Sequence, residues 1–356
     1  MSERVIVATR KGLFDIKRKG GWEVAGVSFL GSPVSMAMRD PRDGALYAAL
    51  DLGHFGCKLH RSDDDGASWT EIAAPSYEGV GGDPAPSLKL IWALEPGGPD
   101  EPGALWAGTI PGGLFRSEDR GASWTLNRAL WDDPSRALWT GGGFDEPGLH
   151  SICIDPRDSK RVTIGVSTAG VWKSDDRGKS WRTAGEGLRA EYVPPELTHN
   201  HVAQDAHCVV QCAASPEAFW LQHHNGIFRS TDDCATWREL QGAPSSFGFP
   251  VAAHPNDPNT AWFAPAVKDE FRYPVEAKVV VSRTRDGGQT FEILREGLPQ
   301  THAYDLIYRH GLVVDETGER LAMGSTTGHL WISENGGDTW ASAAAHLPPI
   351  YALRFA

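Results

Sequence analysis

Imidazoles on separate strands of a rigid frame can converge on Zn, Mn, Fe or Cu, because a neutral ring nitrogen suits all four metals. Thirteen histidines occur among 356 residues. His150 and His207 open strand-like runs (HSICID and HCVVQC), and His302 opens a third (HAYDLIY). His223-His224 follows the apolar run Phe219–Gln222, and a long segment before His207 carries His199, His201 and Asp205. Taken together, these residues predict a divalent metal site of His150, His207 and His302, with His223 or His224 as fourth ligand. The same set also fits a metal-free polar cluster, or the lining of a wet channel.

Only a repeat could bring such scattered residues to one place. The chain has one in the octet SDDRGKSW, Ser174–Trp181. Related octets begin at Ser62, Ser117, Ser230, Thr284 and Ser333, at intervals of 49 to 57 residues. Self-similarity at that period marks a repeat architecture. Between octets the chain alternates in short β-branched runs. Leu149–Asp155, Arg161–Thr168, Val171–Lys173 and Ser180–Ala184 read as four strands, the octet being the hairpin between the last two. Four antiparallel strands per repeat, arrayed radially, make a propeller blade. Val5–Thr9, Gly12–Ile16 and Trp22–Gly26 supply three strands of a further blade, and Ile350–Phe355 its missing first strand. The expectation is therefore all-β: one seven-bladed propeller over 1–356. Blade one is formed by 350–356 plus 1–28, and its terminal strand closes the ring.

The octets resemble the Asp-box, or bacterial neuraminidase, repeat (Ser/Thr-x-Asp-x-Gly-x-Ser/Thr-Trp/Phe), with departures at Cys234, at Asn335 and in the first blade. The resemblance runs over essentially the whole chain and implies a sialidase-like or glycosyl hydrolase-like propeller. The same repeat occurs in sortilin-type receptors and in a photosystem assembly factor, so a fold of this kind does not decide function. The chain lacks the Arg-Ile-Pro of sialidases, and true sialidase chemistry is not expected.

Propeller geometry puts the octets on the rim opposite the channel mouth, where the first strands begin and the second strands end. Counting back six residues from Pro41, Pro96, Pro156 and Pro255 places Ser35, Leu90, His150 and Phe249 at that mouth. Repeat alignment adds His207 and His302, with Tyr304 two residues on. Asp205, Tyr304, Arg10 and Arg272 are the expected catalytic groups on this rim. Trp92, Phe249, Gln222, His224, His199 and His201 are the expected substrate contacts. Arg309 is expected near the far end of its strand.

The bulk composition limits the partners. A formal net charge of −12 disfavours nucleic acid and anionic membranes, which demand basic surfaces. No apolar run reaches membrane-spanning length. Five scattered cysteines without a CxxC pair suit a reducing compartment, and no apolar signal segment precedes the first strand-like run, so a cytoplasmic protein is expected. The expected partner is a small-molecule or glycan-like substrate acted on by a hydrolase or lyase. The alternative is a scaffold whose rim loops bind a protein.

Overall fold

The computed structural model describes residues 1–82 and 84–356. It is a seven-bladed β-propeller in which each blade is a four-stranded antiparallel sheet. Blade one pairs Ile350–Phe355 with Arg4–Thr9, followed by Gly12–Arg18 and Trp22–Ser28. The chain's last strand thus covers what would be an open edge of its first, closing the ring as expected.

The octet forms the hairpin predicted for it. In blade four Ser174 Oγ accepts from the Gly178 amide (2.7 Å) and donates to Asp176 Oδ1 (2.8 Å), while Asp176 Oδ2 accepts from Ser180 Oγ (2.6 Å). The chain turns through two successive left-handed residues, Arg177 (φ 65°) and Gly178 (φ 79°). This is why glycine recurs at the second of them. Cys234 occupies that position in blade five at φ 63° and still donates its amide to Ser230 (3.0 Å). The closing Trp reaches back to the preceding blade: Trp69 Nε1 donates to Ser28 Oγ (3.0 Å), Trp181 to Asn127 Oδ1 (3.1 Å) and Trp237 to the Ala184 carbonyl (2.8 Å).

The first strands carry a second repeated device that is not legible in the octets. Pairing with strand two skips one residue at the same place in several blades: Ser35, Trp92, His150, His207 and Tyr351. In blade six it skips Phe249 and Pro250. A bulge frees the extra residue from the ladder and re-aims its side chain, here toward the central channel. Three bulge side chains tie neighbouring blades by bonding the carbonyl just before the next bulge. Ser35 Oγ donates to the Ile91 carbonyl (3.0 Å), His150 Nε2 to that of Ala206 (2.7 Å) and His207 Nδ1 to that of Gly248 (2.7 Å).

The bulge corrects two expectations of register. In blade three the first strand is Leu90–Pro96 and Trp92, not Leu90, holds the equivalent place. In blade seven residues 303–308 form a loop, and the first strand is Leu312–Val314. The Asp315 amide bonds the Arg320 carbonyl as that of Asp155 bonds Arg161, so the residue equivalent to His150 is His310. His302 lies on an exposed turn at φ 51°. The apolar alternation of AYDLIY imitates a strand, but the strand-closing Asp315 sets the register.

Candidate functional site

A cavity of about 1280 Å³ opens at the channel mouth. Its walls include Trp92, Asp205, His207, His224, Phe249 and Arg309, and two long insertions between blades, 127–147 and 184–205, roof it. Tyr192, from the second insertion, is fastened by its hydroxyl to the Ala203 carbonyl (3.0 Å) and meets the His224 ring edge-on, 4.6 Å between centroids.

Asp205, His207 and His224 form one cluster, each offering a ligand atom within 4.8 Å of the others. The loop entering the first strand of blade five (Ala206–Gln211) supplies Asp205, the bulge supplies His207, and the turn after Phe219–His223 supplies His224. The His224 amide bonds the Asp205 carbonyl (3.0 Å), which locks the two loops together. Ser167 Oγ lies 3.3 Å from Asp205 Oδ1. Asp205 Oδ2 faces His224 Nδ1 at 3.3 Å and His207 Nε2 at 3.5 Å.

Protonation in this cluster can be worked out from hydrogen-bond roles. A carbonyl only accepts, so His207 Nδ1, 2.7 Å from Gly248 O, carries a hydrogen. In the neutral ring Nε2 is then bare. Burial pushes the His207 imidazole below its ordinary value, against the opposing pull of Asp205. Burial would raise the Asp205 carboxyl, but the His207 and His224 imidazoles against it and the charge of Arg309 hold it well below the usual range, as an anion. With the ring neutral, Nε2 and Oδ2 are two acceptors facing each other across 3.5 Å, a gap that a proton shared by the pair or a bound cation would bridge. A histidine fixed by a backbone carbonyl so that its other nitrogen is free is the usual arrangement of a metal ligand.

Other expected site residues lie elsewhere. His150 lines the channel below the cavity, where both its nitrogens are used: Nε2 donates to Ala206 O and Nδ1 accepts from Ser151 Oγ (2.9 Å). No lone pair is left for a metal. His223 is fully buried inside blade five against Phe228, its Nδ1 accepting from the Asn225 amide (3.1 Å). Burial pulls its pKa down to about 3. Gln222, also buried, spends its amide on the carbonyls of His223, Gly226 and Ser246. His199 bonds Leu188 O (3.0 Å) and His201 bonds Thr183 Oγ1 (3.0 Å), so both hold the insertion in place away from the cavity lining. Arg10 and Tyr304 are exposed and outside the lining. His302 is likewise exposed on its turn, apart from the cluster.

Trp92, Phe249 and Arg272 do line the cavity. Phe249 stacks on the His207 ring at 4.7 Å and 17°. Arg272 pairs with Asp269 (2.5 Å) and lies 5.6 Å from the Phe249 centroid. Arg309, which the misplaced strand put at a far end, sits on the cavity wall with its guanidinium carbon 4.8 Å from the Trp92 centroid and 5.4 Å from that of Phe249. Counting five residues back from Asp315 would have revealed this, as it places His310 at the bulge and Arg309 beside it.

The fold is a seven-bladed β-propeller whose blades carry Asp-box-like octets. Residues 171–183 match the family model described as BNR-Asp box repeat. Among curated proteins, the chain is 21% identical over 228 residues to a probable oligoxyloglucan-reducing end-specific xyloglucanase of Neosartorya fischeri, the match covering 60% of this chain and 24% of that protein. The chain thus spans about a quarter of that relative's length. Among solved structures it is similar to an ancestral GH74 enzyme (17% identity, TM-score 0.61, 86% of this chain and 38% of that one). It is also similar to YCF48 bound to D1 peptide (14% identity, TM-score 0.54, 94% and 92% covered). These likenesses establish the propeller.

Proposed function

We propose that this chain is a hydrolase- or lyase-type enzyme acting on a small, oxygenated, carbohydrate-like substrate in the channel-mouth cavity. In this reading a divalent transition metal is bound by Asp205, His207 and His224. The observation that carries the proposal is His207, its Nδ1 held by the Gly248 carbonyl, presenting Nε2 to the Asp205 carboxylate at 3.5 Å. Such a metal would polarise a substrate oxygen or lower the pKa of a bound water. Trp92 and Phe249 offer apolar faces against which a ring can lie. The xyloglucanase relative supports the glycan-like class. Five free cysteines support a reducing, cytoplasmic setting.

The test is metal analysis of protein purified without chelator or polyhistidine tag, after supplementation with Zn, Mn, Fe or Cu. About one ion per chain is expected in wild type and none in His224→Ala of unchanged thermal stability. Wild type that stays metal-free sinks the proposal. A second reading, a peptide-binding scaffold, is favoured by the match over nearly the full length of YCF48, whose solved structure holds a peptide. That reading expects peptide capture at the rim with neither metal nor turnover.

A further inference from the structure

The rim of the cavity is rich in charge, but much of that charge is already paired. Lys89 pairs with Glu146 (2.5 Å), Lys268 with Glu270 (3.2 Å) and Arg272 with Asp269 (2.5 Å). Arg309 differs. It is 9% exposed and its Nε has no partner. Among the described residues its guanidinium makes no ion pair or side-chain hydrogen bond. Trp92 and Phe249 cover its planar surroundings and contribute no acceptor oxygen. Burying an unpaired charge is costly, and here burial draws the guanidinium below its ordinary pKa, with Asp205 acting from a distance in the other direction. The nearby Asp205 carboxylate faces the two imidazoles instead, at 3.5 and 3.3 Å.

We propose that Arg309 binds a carboxylate, and that the ligand of this cavity is a small carboxylic acid, such as a sugar acid, reaching from Arg309 to the Asp205–His207–His224 cluster. A guanidinium lying against aromatic rings presents its N–H edge as a fork, which matches the two oxygens of a carboxylate. The span is short, because His207 stacks on Phe249 at 4.7 Å and Arg309 lies 5.4 Å from the same ring. One end of the ligand would neutralise the orphan charge, and an oxygen at its other end would face the cluster. The inference deepens the functional reading by naming its substrate class. It rests on that reading only for the second contact.

The experiment compares D-galacturonate with D-galactose, which has the same ring without the carboxylate, by calorimetry on the full chain loaded with zinc. Succinate serves as a ring-free acid. Wild type should bind galacturonate roughly tenfold or more tighter than galactose. Arg309→Gln should abolish that preference, and Arg309→Lys should retain part of it. His224→Ala should lose zinc yet keep the preference for the acid, so failure of the metal reading and failure of this one give different results. A binding role also predicts that Arg309→Gln unfolds at or above the wild-type temperature, since an unpaired buried charge has been removed. The proposal is overturned if wild type prefers neither acid, if Arg309→Gln keeps the preference, or if that variant is markedly less stable.

Discussion

The two rims of this propeller solve opposite problems with similar residues. On the octet rim the polar groups are matched within a few residues of chain. Ser62 and Asp64 serve the amides of Gly66 and Ser68, and Ser117 with Asp119 and Thr284 with Asp286 repeat the pattern. On the channel rim the groups come from different blades and are left incompletely matched. His207 Nε2 faces a carboxylate, and Arg309 faces an open cavity. Locally satisfied polar networks give stability and a reproducible turn. Unsatisfied buried groups are tolerated where something else is to be bound. The difference teaches that repetition marks the scaffold, whereas the candidate chemistry lies where the repeats diverge.

The comparison breaks if a channel histidine and a cluster histidine behave alike. His224→Ala should lower cation affinity about 100-fold or more with little change in denaturation midpoint. His150→Ala should leave the cation in place and cost about 3 kcal/mol in urea unfolding, since it opens a buried hole and strands the Ala206 carbonyl.

Acid should separate the rims next. His223 and His310 are held at about 3 by burial, from an ordinary 6.5, and His150 is also lowered well below it. Their folded values lie below the unfolded ones, so the unfolded chain binds more protons as pH falls. Stability is complete above about 6.5 and is lost progressively from there toward 3, by up to about 1.4 kcal/mol per pH unit for each imidazole. The octet carboxylates Asp64, Asp176 and Asp286 sit at about 2, chiefly through bonds from the second Ser or Thr, against an ordinary 3.8. Their contribution is present above about 4 and is lost as pH falls to 2. Thermal melts against pH should therefore show a decline beginning near 6.5 and a further one below 4. A melt that is flat from pH 7 to 4.5 would contradict the buried neutral imidazoles.

Smaller effects refine the octet side. Ser174→Ala leaves the Gly178 amide unpaired and should cost about 2 kcal/mol without altering cation binding. Asn335 already accepts from the Thr339 amide and donates to its hydroxyl (both 2.9 Å). Asn335→Asp restores the octet consensus and should shift stability by less than about 0.5 kcal/mol.

Much of the fold was legible because blade formation depends on short-range rules. The octet's Ser-x-Asp-x-Gly order, the strand alternation before it and the in-phase Trp22 all act within one blade. The ring closure by Ile350–Phe355 follows once blade one is seen to lack a strand. The site was legible only in part. Asp205, His207 and His224 are close in sequence to one blade's first hairpin and could be listed together, whereas His302 was drawn in by a strand-like loop and His310 and Arg309 were passed over.

By itself the sequence determined the number of blades, the hairpin chemistry and the rim that carries the candidate site, since each depends on spacing along the chain. Tertiary structure alone decided which nitrogen of each histidine is free. His150 and His207 occupy equivalent bulges and both bond the next blade's carbonyl. One has a serine on its second nitrogen and the other faces Asp205. No periodicity encodes that, because it depends on the bulge, on the neighbouring blade and on a loop that returns from outside the repeat.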